Sequence, residues 1–115
     1  MANYTLKSAV PVLPAKSVAA AVAFYRDQLG FAQLFDMGNY AGIGRDGVEF
    51  HLYETQDKPV IARINVDGID ALHSSVPKDA MLADEPLETK PWGLRQFGVV
   101  DPTGNRITFA QQLPR

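Results

Sequence analysis

Polar and aromatic side chains occupy alternate positions in three segments that the sequence predicts as β-strands. In "VEFHLYE" (48–54), Glu49, His51 and Tyr53 alternate with apolar residues. Successive strand residues point to opposite faces, so the polar set shares one face while the apolar set packs on the core. Imidazole and carboxylate groups can bind metals or move protons, and aromatic rings can stack on a flat ligand. Two further strands add members to this face: Arg63, Asn65 and Thr108. The face is either simply solvated or the wall of a binding cleft.

Three more aromatic residues allow two interpretations each. Trp92 lies between Pro91 and Gly93 in a predicted loop. It either fills the core or forms a stacking wall at the mouth of a cleft, since a rigid ring offers a large contact area at low entropic cost. Phe35 and Tyr40 allow the same two interpretations.

The residue types do not predict catalysis. His51 has no second histidine beside it in its strand, and such an isolated histidine is more often a hydrogen-bonding or packing residue than a catalytic one. The sequence also shows no Ser-His-Asp order. Asp84 and Glu85 are adjacent, so their side chains would point apart in an extended segment. We therefore expect no catalytic residue.

The elements that position these side chains repeat along the chain. Residues 8–15 are predicted as an apolar strand, and Pro11 indicates either an edge strand or one that crosses to another subunit. Ser17 caps a helix that Gly30 ends. A strand (31–37) follows, and then a hairpin whose turn contains Asp46-Gly47.

The second half follows the same order. It contains a strand (60–66), a short helix that ends before Pro77, a segment (78–91) predicted as a strand with loops, and a second hairpin (94–111). Two βαβββ units, roughly 8–55 and 60–112, would form one curved eight-stranded mixed sheet in a single α+β domain covering 1–115. The helices would cover the convex face and leave a concave cleft.

Composition excludes several classes of function. The chain has 115 residues, a net charge of −2, no cysteine and no basic stretch, so we expect no nucleic-acid partner and no thiolate chemistry. No apolar run approaches the roughly 20 residues of a membrane span, and no signal peptide is visible, so we expect a cytoplasmic protein. A half-open sheet leaves an exposed edge, which favours a homodimer.

Several motifs carry a family resemblance across nearly the whole chain: "SAVPVLPAKSVAAAVAFYRDQLGF", "YAGIGRD", "PWG" and "DPTGNRITFA". The chain resembles the vicinal-oxygen-chelate (glyoxalase-like) superfamily, and within it most of all the bleomycin-resistance proteins. Enzymes of the superfamily hold a divalent ion with four side chains. By spacing, those positions fall at about Val10, Glu49 or His51, Ile61 and Thr108. Since at most one ligand survives, we expect no metal and no other cofactor.

The resemblance also implies a function. The resemblance implies that the protein sequesters the drug in two clefts of a homodimer. The two protomers would exchange their N-terminal strands, with Pro11 as the hinge. The implied ligand-contacting positions are Phe35, Tyr40, His51, Arg63, Asn65 and Trp92. The flat bithiazole of the drug would stack on aromatic rings, and its cationic tail would favour acidic residues.

Two alternatives stay open. Glu49 and His51 leave room for a metal-dependent enzyme of the same superfamily, such as a lyase, an isomerase or a thiol transferase. Arg63, together with Lys90 before "PWG", disfavours a cationic drug and favours a binder of another aromatic small molecule, neutral or anionic.

Overall fold

The computed structural model describes residues 3–114, and it confirms two βαβββ units in this order. The first unit contains β1 (Val12–Ala15), α1 (Val18–Leu29), β2 (Ala32–Asp36), β3 (Tyr40–Arg45) and β4 (Val48–Glu54). The second contains β5 (Ile61–Asn65), α2 (Ile69–Ser75), β6 (Glu88–Thr89), β7 (Leu94–Val100) and β8 (Arg106–Gln112), with a short 3₁₀ turn (Lys78–Ala80) before β6. Within the described residues, no helix is both long and apolar enough to cross a membrane.

The strands of the described chain form two four-stranded mixed sheets. The strand orders are β1-β4-β3-β2 and β5-β8-β7-β6. In each sheet the first strand runs parallel to the last one in sequence, and the remaining pairs are antiparallel. The α+β class and the eight strands agree with the prediction, but one continuous sheet is not formed. The reason is that β1 and β5 are each an edge strand of their own sheet, and no described strand pairing joins them.

Two predicted boundaries shift because of proline. The first strand begins at Val12 rather than Ser8, directly after Pro11, which has no N–H for a ladder. The segment 78–91 holds the 3₁₀ turn, an isolated β-bridge from Met81 to Val99 and the two-residue β6, which Pro86 and Pro91 flank.

Local signals set the ends of α1. The side chain of Ser17 accepts a hydrogen bond from the backbone N–H of Ala20 at 3.1 Å. Gly30 has a φ of 71°, the left-handed conformation that glycine adopts without strain, and its N–H bonds the carbonyl of Tyr25. The buried face of the helix packs on the first sheet through Val18, Ala21, Val22, Tyr25 and Leu29.

The turn between β7 and β8 joins the two halves through a buried carboxylate. Asp101 is only 4% exposed, and its Oδ1 accepts the backbone N–H groups of residues 103–105. Its Oδ2 accepts the hydroxyl of Tyr25 at 2.7 Å and the amide of Asn105 at 2.9 Å. Asn105 also donates to the carbonyl of Pro14 and accepts the N–H of Val60. The motif "DPTGN" is therefore a joint between the halves as well as a hairpin turn.

The environment of Tyr25 keeps its hydroxyl a donor. Burial first, and then the adjacent Asp101 carboxylate, raise the pKa of Tyr25 far above its ordinary value. The phenol therefore stays protonated at any physiological pH and holds α1 against the turn.

We predict that Tyr25→Phe lowers the free energy of unfolding by about 2 kcal/mol, because it removes a donor from a buried carboxylate. Urea denaturation measures this. Tyr53→Phe is the matched control, since its hydroxyl donates to Asp57 at the exposed surface, and it should cost less than about 0.5 kcal/mol. Equal costs for the two variants would contradict the role of the buried contact.

Candidate binding faces on the two sheets

Each sheet has one face packed on a helix and one face turned away from it. On β4, Phe50 and Leu52 are buried in the core, whereas Glu49, His51 and Tyr53 point to the other side and are half-buried. β8 repeats this division with buried apolar residues and a half-buried Thr108. The predicted sorting of side chains between the two faces is thus confirmed.

Four of the predicted residues form one cluster, which we name the aromatic face: Phe35, Tyr40, Glu49 and His51. The rings of Phe35 and Tyr40 stack at 6.0 Å between centroids. His51 meets both edge-on, at 5.1 Å from Phe35 and 5.4 Å from Tyr40. These are favourable geometries for aromatic pairs, so the rings hold one another in place.

Hydrogen bonds fix the polar atoms of the aromatic face. The hydroxyl of Tyr40 lies 2.8 Å from His51 Nδ1, and His51 Nε2 lies 2.6 Å from Glu49 Oε2. A neutral imidazole satisfies both contacts by accepting from Tyr40 and donating to Glu49. Tyr53 lies outside this chain of contacts, because its hydroxyl donates to Asp57 at 2.8 Å.

A glycine makes room for the aromatic face. Gly42 on β3 pairs with Phe35 on one side and with His51 on the other. A Cβ at this position would lie 2.2 Å from the ring of Phe35, so the ring covers the bare backbone. No pattern in the sequence predicted a role for Gly42.

The corresponding face of the second sheet is polar, and we name it the polar face: Arg63, Asn65, Glu85 and Thr108. Arg63 and Thr108 are register partners. Arg63 Nε donates to Asn65 Oδ1 at 3.0 Å, and the Thr108 hydroxyl donates to Glu85 Oε2 at 3.1 Å. Glu85 was not predicted as a site residue, because it lies outside a strand and alternation gives no signal there.

Asp84 and Glu85 do not point apart, because the segment is not extended as the prediction assumed. Both approach the guanidinium of Arg106, whose Nη2 lies 2.6 Å from Asp84 and 3.4 Å from Glu85. The segment is a turn rather than an extended strand, so adjacent side chains can meet one partner.

Trp92 is 65% exposed, which excludes a role as a core plug. It lies in the turn before β7, where Gly93 adopts a φ of 89°. Within the described part of the chain it stacks on no other ring. A free, exposed indole on a tight turn can stack on a ligand or on another chain.

The predicted single cleft is not assembled within one chain. The aromatic face and the polar face belong to separate sheets. Tyr53 lies next to the aromatic face as the register partner of Tyr40, whereas Trp92 lies on the turn before β7. A groove of about 600 Å³ lies instead between the halves, beside residues of α1 and α2 such as Leu29 and Leu72. Asn65 is the one predicted site residue at this groove.

The side chains at the expected metal-ligand positions do not fit a metal ion. His51 has Val12 as its register partner on β1, and Thr108 has Arg63 on β5, so the partners differ from the expected Val10 and Ile61. Neither Val12 nor Arg63 is a metal ligand, and the guanidinium repels a cation. Among residues 3–114, no three His, Cys, Asp or Glu side chains are grouped to hold an ion.

Comparison with known proteins places this pair of βαβββ units in a family. The family model for the Glyoxalase/Bleomycin resistance protein/Dioxygenase superfamily matches residues 6–109. The chain therefore belongs to the Glyoxalase/Bleomycin resistance protein/Dioxygenase superfamily, as its motifs indicated.

The similar proteins include bleomycin resistance and bleomycin-binding proteins as well as a related enzyme. The bleomycin resistance protein of Geobacillus stearothermophilus is 29% identical, with 90% of this chain and 96% of the relative covered. The bleomycin-binding protein from bleomycin-producing Streptomyces verticillus, solved in complex with copper(II)-bleomycin, is 32% identical with a TM-score of 0.78, covering 97% and 99% of the two chains. A glyoxalase-related enzyme from Clostridium phytofermentans shares the fold at 22% identity, a TM-score of 0.79 and 96% and 98% coverage.

We predict that Gly42→Ala displaces Phe35 and lowers the free energy of unfolding by about 1–3 kcal/mol, because the added methyl group overpacks the ring. Shifts of the His51 ring protons in NMR spectra would report the disturbed cluster. Gly44→Ala on the same strand is the comparison with the milder contacts, since an added Cβ would lie 3.1 Å from the flexible end of Leu34 and 3.3 Å from the backbone oxygen of Val48. A Gly44 variant as disturbed as the Gly42 variant would refute the specific role of Gly42.

Proposed function

We propose that this protein binds a bleomycin-type antibiotic without a metal of its own and protects the cell by sequestering the drug. It needs no cofactor and no catalytic residue for this task. The observation that carries the proposal is the aromatic face. Its rings are held in place by one another, and its side chains do not fit a metal ion. The names of the relatives support the choice of ligand.

The aromatic face suits a flat heteroaromatic group such as bithiazole. Phe35 and Tyr40 are only half-buried, so their rings remain accessible. Their mutual contacts and the bonds through His51 hold them in place before a ligand arrives, which lowers the entropic cost of binding. Binding without covalent chemistry is all that sequestration requires.

We further propose a homodimer in which the N-terminal strand is exchanged. Residues 3–9 are all exposed, and Tyr4 and Leu6 are 77% and 90% exposed. The radius of gyration is 15.1 Å, above the roughly 13 Å of a compact chain of this length. Partner strands would cover the open edges of β1 and β5.

A dimer would also complete the binding cleft. Because the aromatic face and the polar face do not meet in one chain, the aromatic face of one protomer would oppose the polar face of its partner. Ligand contacts in such a cleft comprise Phe35, Tyr40, Glu49, His51, Tyr53, Arg63, Asn65, Trp92 and Thr108. Sequestration protects targets inside the cell, so a cytoplasmic location is part of the proposal.

We expect bleomycin to change the fluorescence of Trp92 at micromolar concentration and to release or absorb heat in calorimetry. Trp92→Ala should weaken binding by about 2 kcal/mol, because the indole acts as a stacking anchor, and Trp92→Phe should retain most of the affinity. A protein that shows neither signal at micromolar drug does not have the proposed function.

We expect light scattering to show a dimer, and Leu6→Asp to shift it toward monomer while weakening drug binding. The reason is that an exposed apolar side chain on the N-terminal segment would be buried by the partner, where an unpaired charge is costly. Met37→Asp is the control, since Met37 is 71% exposed on a different turn. A wild-type monomer at working concentration rules out the shared cleft.

A second candidate is the binding of a neutral or anionic aromatic molecule. Arg63 favours it, because its exposed guanidinium belongs to the polar face and is bonded only through Nε to a neutral amide among the described contacts. A thermal-shift screen of aromatic acids against aromatic cations separates the two candidates. Stoichiometric bound divalent metal in the purified protein would instead support an enzyme.

A further inference from the structure

The two sheets carry equivalent rows of residues across their exposed faces. In the first sheet the row runs from Val12 through His51 and Gly42 to Phe35. In the second sheet, Arg63 pairs with Thr108 and Thr108 with Gly98. The N–H of Gly98 then donates to the carbonyl of Glu85 at 2.9 Å, which completes the second row as follows: Arg63, Thr108, Gly98 and Glu85.

Glu85 thus takes the place in the polar face that Phe35 takes in the aromatic face. A Cβ on Gly98 would lie 2.3 Å from Glu85 Oε2, just as one on Gly42 would meet the ring of Phe35. In both halves a glycine lets one side chain fold over the sheet. The residue that fills this place is an aromatic ring in one half and a carboxylate in the other.

The contacts of Glu85 hold its carboxylate in position. The Thr108 hydroxyl donates to Oε2, and the backbone N–H of Glu85 donates to the carbonyl of Leu82 at 3.2 Å. The side chain remains 25% exposed, so a ligand can reach it. A fixed, accessible carboxylate accepts hydrogen bonds from a cation strongly.

The neighbouring arginines do not neutralise Glu85. Arg106 is shared between two carboxylates and makes its shorter contact, 2.6 Å, with Asp84. Arg63 directs its Nε to Asn65. Asp84, Glu85 and Arg106 together carry one net negative charge, and the positive charge of Arg63 lies at the opposite end of the row.

We propose that Glu85 determines specificity in the cleft by receiving a cationic, hydrogen-bond-donating group of the ligand. This inference rests on the proposed function and assigns the two rows different tasks. The aromatic row holds the flat part of the ligand, and the row ending at Glu85 holds its positive charge. Arg63, at the far end of the same row, lies on the edge strand.

The test compares bleomycin with its tail-less acid form, bleomycinic acid, by calorimetric titration of the full-length protein. Glu85→Gln keeps the shape of the side chain over Gly98 and the acceptor for Thr108, but it removes the charge. We expect it to weaken bleomycin binding about tenfold, the effect of one charge-assisted hydrogen bond. Binding of bleomycinic acid should be unchanged, and the salt dependence of bleomycin binding should decrease.

Asp46→Asn is the matched control, because it removes the same charge from an exposed hairpin turn outside the polar face. It should change both affinities less than twofold. The assignment of Glu85, but not the proposed function, would be overturned by either of two results. Glu85→Gln could bind bleomycin as tightly as wild type, or it could weaken the binding of both drug forms equally. Failure of wild type to bind either form would refute the proposed function and the assignment with it.

Discussion

The buried carboxylate of Asp101 is the contact on which the arrangement of the two halves depends. It accepts three backbone N–H groups of its own turn, the hydroxyl of Tyr25 in α1 and the amide of Asn105. A buried charge is tolerated when it is satisfied in this way. The same turn reaches Pro14 and Val60 through Asn105, so one short hairpin ties both sheets to one core.

A shared framework with different side chains explains how one fold can hold an asymmetric ligand. The rows through Gly42 and Gly98 have the same register, yet Phe35 covers one glycine and Glu85 covers the other. In the proposed function, the first face provides stacking and the second provides charge. Among the described residues, neither face carries a set of side chains that fits a metal ion.

Local patterns were enough to predict most of the fold. Ser17 and Gly30 set the ends of α1, Asp46-Gly47 marked the first hairpin, and alternation in β4 separated core residues from exposed ones. These signals work because caps, turns and strand faces depend on residues close in sequence. The strand boundaries near Pro11 and in 78–91 were less accurate, since pairing there depends on which edge is available.

The sequence by itself determined the repeated βαβββ order and which strand residues lie on the aromatic and polar faces. It also determined that the side chains at the expected ligand positions are poor metal ligands. Tertiary structure alone decided that the sheets separate, that Trp92 is exposed and that Glu85 joins Thr108 on the polar face. It also brought Tyr25 to Asp101, 76 positions along the chain. Such contacts follow from the packing of distant segments, which the alternation of neighbouring residues does not encode.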